Sequence, residues 1–519
     1  MLFDSEKRVF LSYNLLNFSA HTVFLKIKNG NIELTLPHGL TSRFTTYFTV
    51  MFDLDLSYTL LLLLCLLAAC GFEFVNGFHD TANAVATVIY TNTLKPWVAV
   101  IWSGSWNFLG VFAGGIAVAM GIVNLLPVES LVDQNIAHSI SMVMALLLSA
   151  IFWNLLTWYL GIPCSSSHTL IGSILGVGLA FSLLPGSTSE AVNWGKAQEI
   201  GLSLLISPLF GFSVTIVLMY LIRSTTKKTE TGETLFKEPK KNQPPPLWIR
   251  TILFITCTLV SFFHGSNDGQ KGVGLVMLIL IGIVPTYFAL NVNFDPVKIP
   301  GSLNKIEQVI TSIDTTLLSA SDRQKLAETK FMNAHLQRTF SSISHINEIP
   351  KGEKFGIRKD VMVIDRNIKT LMIKEEVRLS EVDKVTLNNE MKAVRKITDY
   401  SPTWVLLMIS LSLGIGTMIG WKRIVRTVGE KIGKEHLTYA QGASAELVAA
   451  STIGLSTYFG LPVSTTHVLS SGIAGSMVAN KGVKNLQPDT VRNIIIAWFL
   501  TLPVVMVMAG TLFLIFRSL

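Results

Sequence analysis

The chain has 519 residues, 50% of them apolar and 15% charged, with a formal net charge of +8. Soluble domains carry about a quarter charged residues, so this composition excludes an ordinary soluble globular protein. The basic balance does not call for nucleic acid either: the cations cluster at 223–250, 421–436 and 481–492, beside apolar spans, as basic cytoplasmic loops of an inner or plasma membrane protein do.

Residues 1–50 lack the charged-then-apolar pattern of a secretory signal and differ in character from the rest of the chain. They are read as an N-terminal extension, with Met51 as an alternative start immediately before the first apolar span. Apolar runs then recur at 54–72, 97–122, 139–160, 199–222, 272–290, 402–420 and 493–516, near the roughly 20 residues needed to cross a hydrocarbon core. They predict an all-α, polytopic membrane protein of about ten to twelve membrane segments. The alternating pattern of a transmembrane barrel is missing. Cys65, Cys70, Cys164 and Cys257 lie within or beside apolar runs, none in CxxC spacing, and read as core residues.

In chain order, the first polar interruption of an apolar stretch is Gly77-Phe78-His79-Asp80-Thr81-Ala82-Asn83. The second is Gly161-Ile162-Pro163-Cys164-Ser165-Ser166-Ser167-His168. A basic linker at 223–250 holds Arg223, Lys227, Lys228, Lys237, Lys240, Lys241, Arg250 and a triple proline. Then comes Gly265-Ser266-Asn267-Asp268-Gly269-Gln270-Lys271, 188 positions after the first motif. The last, Gly460-Leu461-Pro462-Val463-Ser464-Thr465-Thr466-His467, stands 299 positions after the second. The chain is therefore a duplicated unit, with repeat 1 at 51–222 and repeat 2 split into 251–290 and 401–519.

Residues 291–400 account for the difference between the two offsets. Leu379, Val382, Leu387, Met391, Val394 and Ile397 fall near helical spacing there, which predicts a helical extramembrane insert. The loop at 124–138 holds acids and no Lys or Arg, whereas its counterpart at 421–436 is basic. That reversal predicts inverted-topology repeats, with the start of the first span, the insert and the C-terminus outside.

Asp80 and Asp268 stand in apolar surroundings beside Gly77, Gly265 and Gly269. Buried ionisable groups mark ion or substrate pathways, and the glycines predict broken helices at these points. The competing reading is a carboxylate that only caps a half-helix. The runs Ser165–Ser167 and Ser464–Thr466 follow prolines and open apolar segments, where hydroxyls and free N–H groups form an anion cradle; plain N-capping competes here too. Lys271 answers to Asn83 in the other copy, an ammonium where a cation could otherwise bind; a static Lys–Asp pair is the alternative. His79, His168, His264 and His467 can carry protons, although a neutral structural role is the plainer reading for each. Glu73 and Glu446 are further candidate proton carriers; Glu446 is the stronger, since its counterpart is Leu147. The spacing around Lys271 is not that of a P-loop, and none of the histidines has metal-site spacing. An intramembrane hydrolase would need two active sites or one degenerate copy, whereas transport explains the duplication directly.

Gly77–Thr87, Gly265–Gly274 and the paired P-x-S-S-S-H and P-x-S-T-T-H elements resemble the inorganic phosphate transporter (PiT) family, in particular its bacterial low-affinity members, over about 55–290 and 402–517. The resemblance implies inverted repeats around a phosphate site near the midplane, built by Asp80, Asn83, Ser165, Ser166, Asp268, Ser464 and Thr465, to which the reading of the repeat asymmetry adds Lys271. Sodium-coupled members have Asn where this chain has Lys271 and an acid where it has Asn107, while Glu446 matches an acidic position. Proton symport is therefore expected, with Asp80, Asp268, Lys271 and Glu446 coupling. Phosphate is expected to travel as a neutral complex with a divalent metal such as magnesium. No enzyme activity, resident metal, cofactor or nucleic-acid partner is expected; the setting is the lipid bilayer of the inner membrane, and a homodimer stays open. The alternatives are sodium coupling, a phosphate-permeable channel and an intramembrane hydrolase.

Overall fold

The computed structural model describes residues 9–12, 22–28, 31–35, 52–126, 129–132, 135–185, 192–226, 229–240 and 243–519. Met51 and the linker lysines Lys227, Lys228 and Lys241 lie outside them. The chain forms two units, 1–64 and 65–519. In the first, β1 (Val9–Ser12), β2 (Thr22–Lys28) and β3 (Asn31–Thr35) pair antiparallel in that order, and helix α1 (Leu56–Asp80) begins. Every element described after β3 is helical.

Repeat 1 continues through α2 (Ala82–Tyr90), α3 (Pro96–Ala113), α4 (Ala117–Val123), α5 (Ile136–Tyr159), α6 (Ser166–Ser182) and α7 (Trp194–Thr226). Repeat 2 opens with α8 (Leu247–Ile283). The insert supplies α9 (Ile299–Ser312), α10 (Ala320–Ser341), α11 (Lys354–Met372) and α12 (Glu381–Arg395). The repeat then resumes with α13 (Thr403–Met418), α14 (Lys422–Arg426), α15 (Tyr439–Tyr458), α16 (Thr465–Lys481) and α17 (Pro488–Ser518). Among the described residues five helical stretches are long and apolar enough to cross a membrane, or seven if each bent pair is one span. α6 is a further, shorter apolar helix. Large apolar side chains such as Phe152, Leu209, Phe499 and Val507 are exposed on these helices, a surface suited to lipid rather than water.

The helix breaks do not fall at the motif glycines. α8 runs unbroken through Gly265 and Gly269, and α1 yields to α2 only at Thr81, past Gly77. The sharp bends lie one span later in each repeat, 75° between α3 and α4 and 54° between α13 and the helix after it. The motif glycines serve close packing instead. A Cβ on Gly77 would strike backbone of Leu413 and Thr417 on α13, and one on Gly265 would strike backbone of Asn107 on α3.

Those contacts are mates under the repeat, and others share the pattern. α3 and α13 cross where Gly104 and Gly414 face each other's carbonyl oxygens, and Asn107 Nδ2 donates to Thr417 Oγ1 at 2.8 Å in the same crossing. The closing helix of each repeat packs on the other repeat's half-helix, α7 on α16 and α17 on α6. Two-fold exchange of this kind is what fuses the duplicated halves into one core.

The insert has a core of its own, in which Leu303, Ile306, Ile310, Leu336, Val361, Ile364, Leu387 and Met391 are buried at helical spacing. Val382 departs from the expected stripe and points outward, 73% exposed. The cysteines are unpaired thiols, three buried and one half-buried.

Candidate functional site

Each hydroxyl run is placed by the same device. α5 and α15 end in a turn whose glycine, Gly161 or Gly460, takes φ of +68° or +70°, a conformation that costs little without a Cβ. The chain doubles back, and Ser165 and Ser464 cap α6 and α16 by accepting from the backbone N–H of His168 (3.1 Å) and His467 (3.2 Å). The half-helices thus meet N-terminus to N-terminus, with the rings of His168 and His467 4.6 Å apart.

Between those ends lie the two carboxylates, both fully buried. Asp80 accepts from Ser166 of α6 (3.0 Å) and Thr466 of α16 (2.5 Å), so it is clasped by both repeats. Asp268 accepts from Thr465 (3.3 Å) and pairs with Lys271 (2.6 Å). Lys271 also donates to Ser167 (2.5 Å) and to the Val463 carbonyl (2.9 Å). Its counterpart Asn83 donates to Thr466 (3.1 Å) and Thr465 (3.4 Å), and its own Oδ1 is buried without a donor. Ser166–Asp80 and Thr465–Asp268 are repeat mates, as are Asn83–Thr466 and Lys271–Ser167.

His264 bridges the carboxylates, with Nε2 3.8 Å from Asp80 and 3.4 Å from Asp268, and its Nδ1 is 3.1 Å from Asn107 Oδ1. His79 Nδ1 is 3.4 Å from Asp80 and its Nε2 3.2 Å from Thr157. One ligand atom each from Asp80, His264 and Asp268 lie within 4.8 Å of one another, an oxygen-rich donor set that suits a divalent cation.

The structure thus gathers Asp80, Asn83, Ser166, Asp268, Lys271 and Thr465 into one buried cluster. Ser165 and Ser464 stand at its edge as caps. Glu446 joins none of these contacts; its carboxylate accepts from Thr256 of α8 at 2.5 Å, and its other oxygen has no donor. Sequence reasoning does not nominate Ser167 or Thr466, although both stand in the paired runs. Their position in each run is the available signal, but which of three hydroxyls turns inward depends on the cap.

Chemically, the cluster offers an oxyanion four hydroxyls, an ammonium, an amide and two helix N-termini. The hydroxyls, the ammonium and the amide are engaged with the carboxylates, with one another or with the Val463 carbonyl, so an anion entering here must compete with Asp80 and Asp268 for the same partners.

Compared with known proteins, residues 76–509 match the phosphate transporter family. The chain is 40% identical to the low-affinity inorganic phosphate transporter PitB of Escherichia coli, over 89% of this chain and 97% of that one. It is 39% identical to PitA of the same organism, with the same coverage, and 28% identical to a probable low-affinity inorganic phosphate transporter of Bacillus subtilis, over 87% and 95%. Among solved structures it shares its fold with a sodium-dependent phosphate transporter, at a TM-score of 0.51 and 19% identity, covering 88% of this chain and 99% of that one.

Proposed function

The chain belongs to the phosphate transporter family, and from that premise we propose that it is a low-affinity importer of inorganic phosphate in the inner membrane, working by proton symport and alternating access. One observation carries this reading: Asp80 and Asp268 are held by the very hydroxyls and ammonium that would cradle an oxyanion. When phosphate takes those donors, the carboxylates lose them. Two like charges about 4 Å apart repel by about 4 kcal/mol at an effective dielectric of about 20, so the anion enters only if positive charge enters with it. Coupling follows from that exchange of partners.

Protons fit better than sodium, because the Lys271 ammonium sits 2.6 Å from Asp268, on ground a bare cation would need. The grouping of Asp80, His264 and Asp268 supports phosphate travelling as a neutral complex with a divalent metal, the metal being cargo. Asp80, Asp268, Lys271 and Glu446 handle the coupling; Asn83, Ser165, Ser166, Ser464 and Thr465 complete the cradle.

The test is radiolabelled phosphate uptake in proteoliposomes, with proton and sodium gradients imposed separately and with or without magnesium. Accumulation should follow the proton gradient and rise with magnesium. Accumulation driven by sodium alone, or phosphate conductance without coupling, would overturn the reading.

A further inference from the structure

Glu73 lies on α1 two turns before Asp80 and is fully buried. Gly272 of α8 makes room for it: a Cβ there would stand 2.5 Å from Glu73 Cγ, Cδ and Oε1. The carboxyl is thus pressed onto the turn of α8 that carries Asp268 and Lys271. Its Oε2 accepts from Asn76 Nδ2 at 3.2 Å, while Oε1 and the Asn76 Oδ1 are buried with no donor. The charged groups that face it are Asp268, Lys271 and His264 of α8, and Cys70 is the titratable neighbour on α1 itself. An ammonium has three N–H donors, and Lys271 directs them to Asp268, Ser167 and Val463.

A buried carboxylate that receives no hydrogen bond from a cation is costly. A proton on Oε1 removes that charge at the one oxygen that lacks a donor. The repeat adds a second, independent point. At the offset of 188, Glu73 answers to Ser261 and Gly272 to Ala84. Ser261 is a satisfied hydroxyl, 2.9 Å from the Ser103 hydroxyl and 2.8 Å from the Cys257 carbonyl. The carboxyl of repeat 1 and the notch of repeat 2 that admits it therefore form a pair made once between the repeats, and its mate pair, Ser261 and Ala84, has neither. Gly272 stands on the same turn of α8 as Lys271, another asymmetric charge.

Resting on the proton-symport reading, we propose that Glu73, notched against Gly272, joins Asp80, Asp268, Lys271 and Glu446 in the coupling as the group that carries the transported proton. An anion arriving at Lys271 adds negative charge beside Glu73 and favours a proton on it; departure of the anion releases that proton to the opposite side. Proton and phosphate then favour each other's binding reciprocally.

The experiment is Glu73→Gln in proteoliposomes, comparing phosphate exchange at equal concentrations with accumulation driven by a pH gradient, and following proton entry with a trapped pH dye. Exchange should change by less than about threefold, while gradient-driven accumulation falls at least tenfold and phosphate no longer brings protons in. If wild-type accumulation ignores the pH gradient, the symport reading falls and this inference with it. If wild type responds and Glu73→Gln accumulates equally well, only this inference falls. Equal loss of exchange and accumulation in a folded variant overturns it in favour of a structural role. Should the variant not fold, carbodiimide labelling of the wild-type protein decides: the reagent adds to protonated carboxyls, so Glu73 should be modified, and more so with phosphate present. No adduct at Glu73 under either condition overturns the proposal.

Discussion

The ammonium of Lys271 is the sharpest difference between two halves that otherwise mirror each other. Where Lys271 donates to Ser167, Asn83 donates to the matching Thr466. Lys271→Asn would restore the symmetry, leave Asp268 without its cation, and open a gap lined by a carboxylate and amide oxygens. Removing one member of a buried pair costs about 3–5 kcal/mol, an incentive for a cation from solution to take its place. We expect uptake driven by the proton gradient to fall at least tenfold and a sodium gradient to become effective; unchanged ion dependence in vesicle uptake would refute this. At this scale much of the site is legible in the sequence. A carboxylate inside an apolar run is costly enough to be conspicuous, and its recurrence at matched offsets marks Asp80 and Asp268. What stays hidden is rotation. The runs at 165–167 and 464–466 each offer three hydroxyls, and only the caps at Ser165 and Ser464 decide that the next two turn inward.

Helices show where sequence reading fails and why. A glycine in an apolar helix signals either a break or a close neighbour, and local sequence does not distinguish the two. At Gly77 and Gly265 the neighbour is decisive, because α13 and α3 press against them with backbone, which cannot move aside as a side chain can. Gly265→Ala must push α8 away from Asn107, at a cost of about 1–3 kcal/mol or more. A contrasting glycine is Gly201 on α7, where an added Cβ meets nothing within 4 Å. Gly201→Ala should be neutral or stabilise by up to about 1 kcal/mol through helix propensity. Thermal unfolding in detergent measures both, and a Gly265→Ala midpoint at or above that of Gly201→Ala would contradict the close-packing role.

Across the whole molecule, the insert is set into repeat 2 without interrupting the core, because its two ends leave side by side. The Asn291 N–H donates to the Ile397 carbonyl at 2.8 Å, and the buried Arg358 donates to the carbonyls of both Ala289 (3.2 Å) and Thr398 (2.8 Å). With ends so joined and a core of its own, a fragment spanning 289–398 should fold alone and melt cooperatively by circular dichroism. Its acid sensitivity has a definite sign. The Ser319 hydroxyl holds the Asp322 carboxyl below its ordinary value, and the Thr316 backbone N–H does the same for Asp314. Groups depressed by folding add stability above their unfolded values and lose it as pH falls through the folded ones. The melting midpoint should therefore drop through the acid range, and Asp322→Asn should flatten that drop while lowering the plateau near neutrality. A midpoint that is constant or rises on acidification would show that these carboxylates contribute nothing to holding the insert together.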